Sequence, residues 1–186
     1  MKITILSHNL TSNAAMRAHR LAVAARHFAD VTMIGPVKDR GAWGALPQEP
    51  WIKPFESKNL PKFFNVLLEM ILEADADLLI AVKPYLASYG LALLAGECRE
   101  VPVVLDIDDL DAALAPEREL TPEQALADLR DPASILYLGV LVRAHQAAAV
   151  VTVASTNLQR CFGGTLVPHG SLIELFDLVN VDCAAA

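Results

Sequence analysis

VVLDIDDLDA, residues 103–112, opens as an apolar run and closes with four aspartates within six residues. The run does not alternate apolar with polar positions, so it describes a strand covered on both faces, as in a parallel sheet. Side chains just beyond the carboxyl end of such a strand face the crevice where α/β sheets bind ligands. The aspartates are open to three readings: a metal site, a phosphoryl-transfer nucleophile or the lip of a sugar cleft.

The flanking sequence repeats the pattern. KITILS (2–7), VTMIG (31–35), DLLIAV (77–82) and AVVTVA (149–154) read as buried strands, and GTLVP (164–168) as a short last one. WIKPF (51–55) reads as an edge strand, because Pro54 cannot donate to a ladder. Helical stretches lie between them. In 13–28, Ala14, Ala18, Leu21, Ala25 and Phe28 form one apolar stripe, with Arg17, Arg20 and His27 off it. His19 and His27 are expected on the solvated side. LPKFFNVLLEMILEA (60–74) is apolar over a wide arc, and YLASYGLALLAGECR (85–99) packs through Leu, Ala and Gly. LTPEQALADLR (120–130) starts with Thr121 as N-cap and Pro122 in the first turn. STNLQRCF (155–162) is capped by Ser155 or Thr156. GPVKDRGAWGALPQEP (35–50) is a Gly- and Pro-rich loop. Strands alternating with helices imply one three-layer, Rossmann-like α/β domain, with a mainly parallel sheet of six or seven strands.

Composition agrees. The 186 residues are 54% hydrophobic and 20% charged, enough to bury one substantial core. The net charge of −7, with no basic patch, argues against nucleic acid as a partner. Cys98, Cys161 and Cys183 have no ligand spacing and read as reduced thiols of a cytoplasmic protein. The amino terminus is too short and polar for a signal peptide. The most membrane-like segment, 133–155, is split by Arg143 and His145 and reads as a buried helix followed by a buried strand. The terminal AAA (184–186) reads as a cloning scar, so the natural protein is expected to be longer.

Four strand ends carry polar residues suited to a ligand. SHNLTSN (7–13) offers backbone N–H groups at a helix start, although it lacks the G-x-G-x-x-G dinucleotide fingerprint; otherwise it is a loop capped by Ser12 or Asn13. Lys83 follows the strand DLLIAV, where it can meet a phosphate or carboxylate or lie along the surface. In DIDDLD, Asp106 and Asp108 fit the spacing of a phosphatase nucleophile pair, but Leu110 stands where Thr or Val is needed. The same two residues match a metal-binding D-x-D, and strand-end aspartates also serve simply as helix caps. If the strand continues, Asp106 and Asp108 point one way and Asp109 the other. ASTN (154–157) is the fourth such end, and VPHG (167–170) with His169 adds a further candidate. The histidines have no metal-ligand spacing, and Arg143 and His145 read as structural. A receiver-like Mg²⁺ pocket would need acidic residues at the first strand, and ITILSHN has none.

Taken together, KITIL, VPVVLDIDDL, AAVVTVASTNL and LVPHGSLIELF resemble, in order and spacing, the N-terminal half of two-domain GT-B-type retaining glycosyltransferases of the family 4 group. The resemblance covers nearly the whole chain. It implies an acceptor-side domain over 1–180, a tail over 181–186, and a missing C-terminal half that would hold most of the nucleotide-sugar site, including a paired-glutamate motif. In the family's D-x-H-D motif, Asp106 matches the first aspartate and Asp109 the last. Asp108 takes the place of a histidine that touches the donor sugar; a carboxylate accepts where imidazole can donate. Leu172 stands where the family commonly has aspartate.

On that resemblance the full enzyme moves a sugar with retention from a nucleotide sugar, UDP-sugar favoured, to a glycan, polysaccharide or glycolipid acceptor in envelope or exopolysaccharide synthesis. Charge and hydrogen-bond donors would stabilise the leaving phosphate, with neither metal nor cofactor required. Asp108 is then the catalytic candidate. Asn9, Thr11, Ser12, Lys83, Tyr85, Asp106, Asp109, Ser155 and His169 are substrate-binding candidates. The full enzyme is expected in the cytoplasm, at the inner face of the membrane, and this chain alone is expected to be weakly active or inactive. A face left open by the missing half would favour dimers of the chain. The rival reading is a non-catalytic α/β ligand-binding module or an acidic Mg²⁺ pocket.

Overall fold

The computed structural model describes residues 1–38, 41–57, 59–109, 121–132 and 134–170. Among them, seven parallel strands form one sheet in the order β3-β2-β1-β4-β5-β6-β7. They are β1 (Lys2–Ser7), β2 (Asp30–Val37), β3 (Ile52–Glu56), β4 (Leu78–Val82), β5 (Val103–Ile107), β6 (Val150–Val153) and β7 (Thr165–Leu166). Every pairing is parallel, so the expectation of a mainly parallel α/β sheet holds. Pro54 does sit in the edge strand β3. The helices are α1 (Ala15–Ala25), α2 (Phe63–Glu73), α3 (Leu91–Arg99), α4 (Pro122–Arg130), α5 (Ile135–Arg143) and α6 (Thr156–Phe162). A π-helical turn, Leu86–Gly90, leads into α3.

The alternation of side chains along β1 separates two cores. Ile3 and Ile5 join Ala15, Ala18, Ala22 and Ala25 of α1 on one face. Leu6 joins Phe63, Val66, Leu67 and Met70 of α2, with Leu91, Ala92 and Ala95 of α3, on the other. Small alanines let α1 lie close to the sheet. Its buried stripe begins at Ala15, not Ala14, and Phe28 falls beyond the helix end with 70% of its surface exposed. The helix also starts later than its sequence suggests. Ser12 and Asn13 form a turn before it, and Ser12 Oγ accepts the Ala14 N–H at 3.4 Å. The other two caps form as read. Thr121 and Gln124 make a reciprocal capping box, and Ser155 accepts from the Leu158 N–H.

The loop after β1 leans on the end of β2. Leu10 N–H donates to Pro36 O at 2.9 Å, and Lys38 N–H donates to Thr11 Oγ1 at 2.8 Å. Gly35 makes that approach feasible, since a Cβ there would lie 2.6 Å from Ser7 O and 2.9 Å from Leu10 Cγ. The segments 171–180 and 181–186, with Leu172, Cys183 and the terminal alanines, lie outside the described residues, as do Leu110 and Asp111. No helix among the described residues is long and apolar enough to cross a membrane.

Two glycines give a contrasting test. Gly35→Ala should lower unfolding stability by about 1–3 kcal/mol, the range for overpacking a tight site. Gly139→Ala, in α5 with nothing within 4 Å of the added methyl, should raise it by about 0.5–1 kcal/mol through helix propensity. Urea denaturation of both variants reads the difference.

Candidate functional site

The strand order reverses direction between β1 and β4, which places a crevice beyond their carboxyl ends. The loops after these strands meet there. His8 lies flat against Tyr85, with ring centroids 4.3 Å apart and planes 13° from parallel. Much of the polar chemistry of SHNLTSN holds the loop itself. Asn9 Oδ1 accepts the Thr11 N–H at 2.7 Å, and Asn9 Nδ2 donates to Ser12 Oγ at 3.3 Å.

Lys83 follows β4 with φ 67°, in the left-handed region that a residue with a Cβ enters only at a cost of about 1–2 kcal/mol. Backbone hydrogen bonds fix it there. Its N–H donates to Asp106 O at 2.8 Å, while its carbonyl accepts from Ser88 Oγ at 2.6 Å and from the Tyr85 N–H at 2.9 Å. That conformation aims the buried ammonium across to the loop after β5. It reaches Asp109 Oδ2 at 2.5 Å and Asp108 Oδ1 at 3.5 Å. β5 ends at Ile107, so strand alternation no longer governs Asp108 and Asp109, and both serve the same lysine.

Asp106 faces elsewhere and is fully buried. Arg17 of α1 grips it through two hydrogen bonds, Nε to Oδ2 at 2.9 Å and Nη2 to Oδ1 at 2.8 Å. Thr152 of β6 donates to Oδ1 at 2.7 Å. The same guanidinium donates to the carbonyls of Val167, at 2.7 Å, and Pro168, at 3.1 Å. Burial alone would lower the Arg17 pKa, but Asp106, helped by Asp108, outweighs it and the net shift is upward. The Asp108 carboxyl is also pushed up, first by burial and then by Asp106, with Lys83 and His169 pulling it back only in part.

Two cavities open on this edge. The first, of about 230 Å³, is lined by His8, Asn9, Tyr85 and Phe63, with Lys38 and Ser57 among its polar groups. The second, of about 220 Å³, is lined by Asn13 and Ala14 at the start of α1, by Arg17, Arg20 and Lys83, and by Asp108, Asp109 and His169. Lys83 and Tyr85 thus carry one short loop between an aromatic cavity and a charged one.

Of the residues singled out in the sequence, Lys83, Asp108, Asp109 and His169 come together at the charged cavity, and Asn9 and Tyr85 at the aromatic one. Thr11 and Ser12 line neither; their hydroxyls serve the loop. Ser155 is exposed and its hydroxyl caps α6. Asp106 presents no surface and acts through Arg17. His19 corrects the expectation of a solvated residue: it is 5% exposed and stacks on Trp51 at 5.6 Å, because the Gly- and Pro-rich loop folds its tryptophans over α1. Arg17, off the apolar stripe, is likewise buried. The signal that could have found it is electrostatic, since a buried strand-end aspartate requires a cation. Arg143 is exposed, and His145 sits over Val142 O at 2.9 Å and edge-on to Phe162. Cys98 and Cys161 are free and exposed. Among the described residues no group of three or more His, Cys, Asp or Glu side chains is arranged to hold a metal ion.

No protein-family model and no curated protein matches the sequence. Solved structures similar in fold include the following two. One is the Bordetella bronchiseptica enzyme WbmH in complex with NAD⁺, at 11% identity and TM-score 0.44 over 82% of this chain and 54% of that one. The other is Phytolacca americana UGT2 complexed with UDP-2-fluoro-glucose and pterostilbene, at 12% identity and TM-score 0.45 over 88% of this chain and 49% of that one. The chain therefore spans about half the length of either.

Arg17→Met should destabilise the fold by about 3–5 kcal/mol, because it strands the buried Asp106 charge; chemical denaturation reads this. Asp108 gives a pH signature. Its folded pKa lies above the unfolded one, so its contribution favours the fold below the ordinary carboxylate range and is lost as pH rises through the raised value. Asp108→Asn lacks that loss. The stability of the variant minus that of the parent should therefore become more positive as pH rises above the ordinary carboxylate range in denaturation series.

Proposed function

We propose that the chain is the acceptor-side half of a retaining glycosyltransferase that takes its sugar from a nucleotide-sugar donor, UDP-sugar favoured. The observation that carries this reading is Lys83, held in a left-handed conformation between Asp108 and Asp109 at the carboxyl edge of β4 and β5. A strained, buried cation aimed into a strand-end cavity has the form of a site element more than of a surface lysine. The order of motifs along the chain supports the family assignment. Asp106, Asp108 and Asp109 are each already paired with Arg17 or Lys83, which argues against the acidic Mg²⁺ pocket.

In this reading the charged cavity faces the donor. Lys83 and the start of α1 favour negative charge there, and Asp108 meets a hydroxyl of the transferred sugar. The aromatic cavity, lined by the stacked His8 and Tyr85 with Asn9 and Ser57, takes a ring of the acceptor, which is a glycan, polysaccharide or glycolipid. Asp106 is fully buried and acts through Arg17, which it holds at the wall of the charged cavity. The full enzyme works in the cytoplasm at the inner face of the membrane, in envelope or exopolysaccharide synthesis, and the half described is at most weakly active without its partner half.

Titration of the chain with UDP-glucose and with acceptor sugars, followed by amide NMR shifts, tests the site. Saturable shifts in the loops at 8–13 and 83–85 are expected, with Lys83→Ala and Asp108→Ala weakening donor binding by about tenfold or more, the loss for one charge-assisted contact. A folded chain whose spectrum responds to none of these sugars would sink the assignment. Asp108→Ala in the full enzyme should also reduce turnover, and unchanged turnover would remove Asp108 from the mechanism.

A further inference from the structure

α2 carries two apolar faces. Phe63, Val66, Leu67 and Met70 are buried against the sheet. Phe64, Leu68 and Leu72, spaced four apart, form a second stripe that points away from the protein, with 59%, 57% and 65% of their surfaces exposed. On the neighbouring α3, Leu94 is 51% exposed. Single exposed leucines are ordinary, whereas a continuous stripe of three large side chains marks a contact surface.

The stripe lies apart from the crevice. α2 starts at Phe63, which lines the aromatic cavity, and runs to the opposite edge of the sheet. There Glu73 pairs with Lys53 near the start of β3, and Asp75 pairs with Lys2 at the start of β1. A second half that closed over the strand ends would leave most of the stripe open.

Charge says what covers it. The polar border of the stripe runs through exposed Lys62, Asn65 and Glu69, with the cation at the amino end and the anion two turns on. A second α2 laid parallel would set this border against the other helix's opposite flank, where Leu60 and Ile71 offer no counter-charge. Laid antiparallel, it brings Lys62 of each copy to Glu69 of the other, and it opposes the two helix dipoles.

We propose that α2 is the seam of a homodimer in which a second copy of this chain packs antiparallel, about a two-fold axis between Phe64 and Leu68. Phe64 of each copy then lies against Leu68 of the other. Such an interface is self-complementary and closed, so it stops at two copies. One helix pair is small for a protein interface, so the dimer is weak, with a dissociation constant of about 10–100 µM.

Sedimentation velocity on the 186-residue chain from about 1 µM to 500 µM tests this, with circular dichroism to check each fold. The parent should shift from monomer to dimer across that range. Leu68→Glu, on the exposed face, should stay monomeric while folded. Lys62→Glu and Glu69→Lys should each weaken the dimer roughly fivefold to tenfold, and the double exchange should restore it. A parent that is monomeric throughout, or a dimer indifferent to Leu68→Glu, overturns the seam. A double exchange no better than the single ones overturns the antiparallel pairing. None of these outcomes depends on sugar binding.

Discussion

Arg17 gives its guanidinium to Asp106 as a two-bond fork and donates twice more, to the carbonyls of Val167 and Pro168. Through Asp106 it also reaches Thr152. One side chain of α1 thereby ties together β5, β6 and the segment after β7. Both charges are buried, so neither can be removed without exposing the other to an uncompensated interior. Hydrogen bonds saturate much of both groups, which is the condition under which a buried pair can be tolerated at all. The carboxyl edge of the sheet takes its shape from this pair: His169 is carried to the charged cavity by the segment that Arg17 holds.

Lys83 depends on the same arrangement. Its N–H rests on the carbonyl of Asp106, so the residue that binds Arg17 through its side chain fixes Lys83 through its backbone. Glycine would meet the backbone requirement at φ 67° more cheaply. A lysine there costs strain and desolvation, and it supplies the counter-charge for Asp108 and Asp109. Asp106, Asp108 and Asp109 therefore do not act as one acidic cluster. Of the three described, one belongs to an internal ion pair and two to a lysine.

That division also explains what was legible in the sequence. The strands were, because a parallel strand under helices must be apolar on both faces, and 2–7, 77–82 and 103–107 are. The Thr121 and Ser155 caps were too, since capping is settled within one turn. The burial of Arg17 and His19 was not. A stripe rule assumes that one face of a surface helix meets the core and the rest meets water. α1 instead has the 41–51 loop laid along its flank, with Leu46 buried and Trp43 and Trp51 partly so. Nothing local in a Gly- and Pro-rich stretch says where its tryptophans will rest. Likewise, the pairing of Asp106 with Arg17, 89 positions apart, is a product of topology. The apolar arc of α2 was read, but the sheet covers only part of it, and the part left open has its own charge pattern.

The raised Asp108 pKa bears on what this side chain can do at the charged cavity. A histidine can donate to a sugar hydroxyl, and an ionised carboxylate cannot. Burial and the neighbouring Asp106 move Asp108 toward its protonated form, whereas Lys83 keeps the charged form accessible. The carboxyl donates to a hydroxyl only in its protonated form and accepts when ionised. On the glycosyltransferase reading, closure over the cavity would desolvate it further and favour the proton-bearing form. At 3.5 Å from Asp108 and 2.5 Å from Asp109, Lys83 makes its closer contact with Asp109.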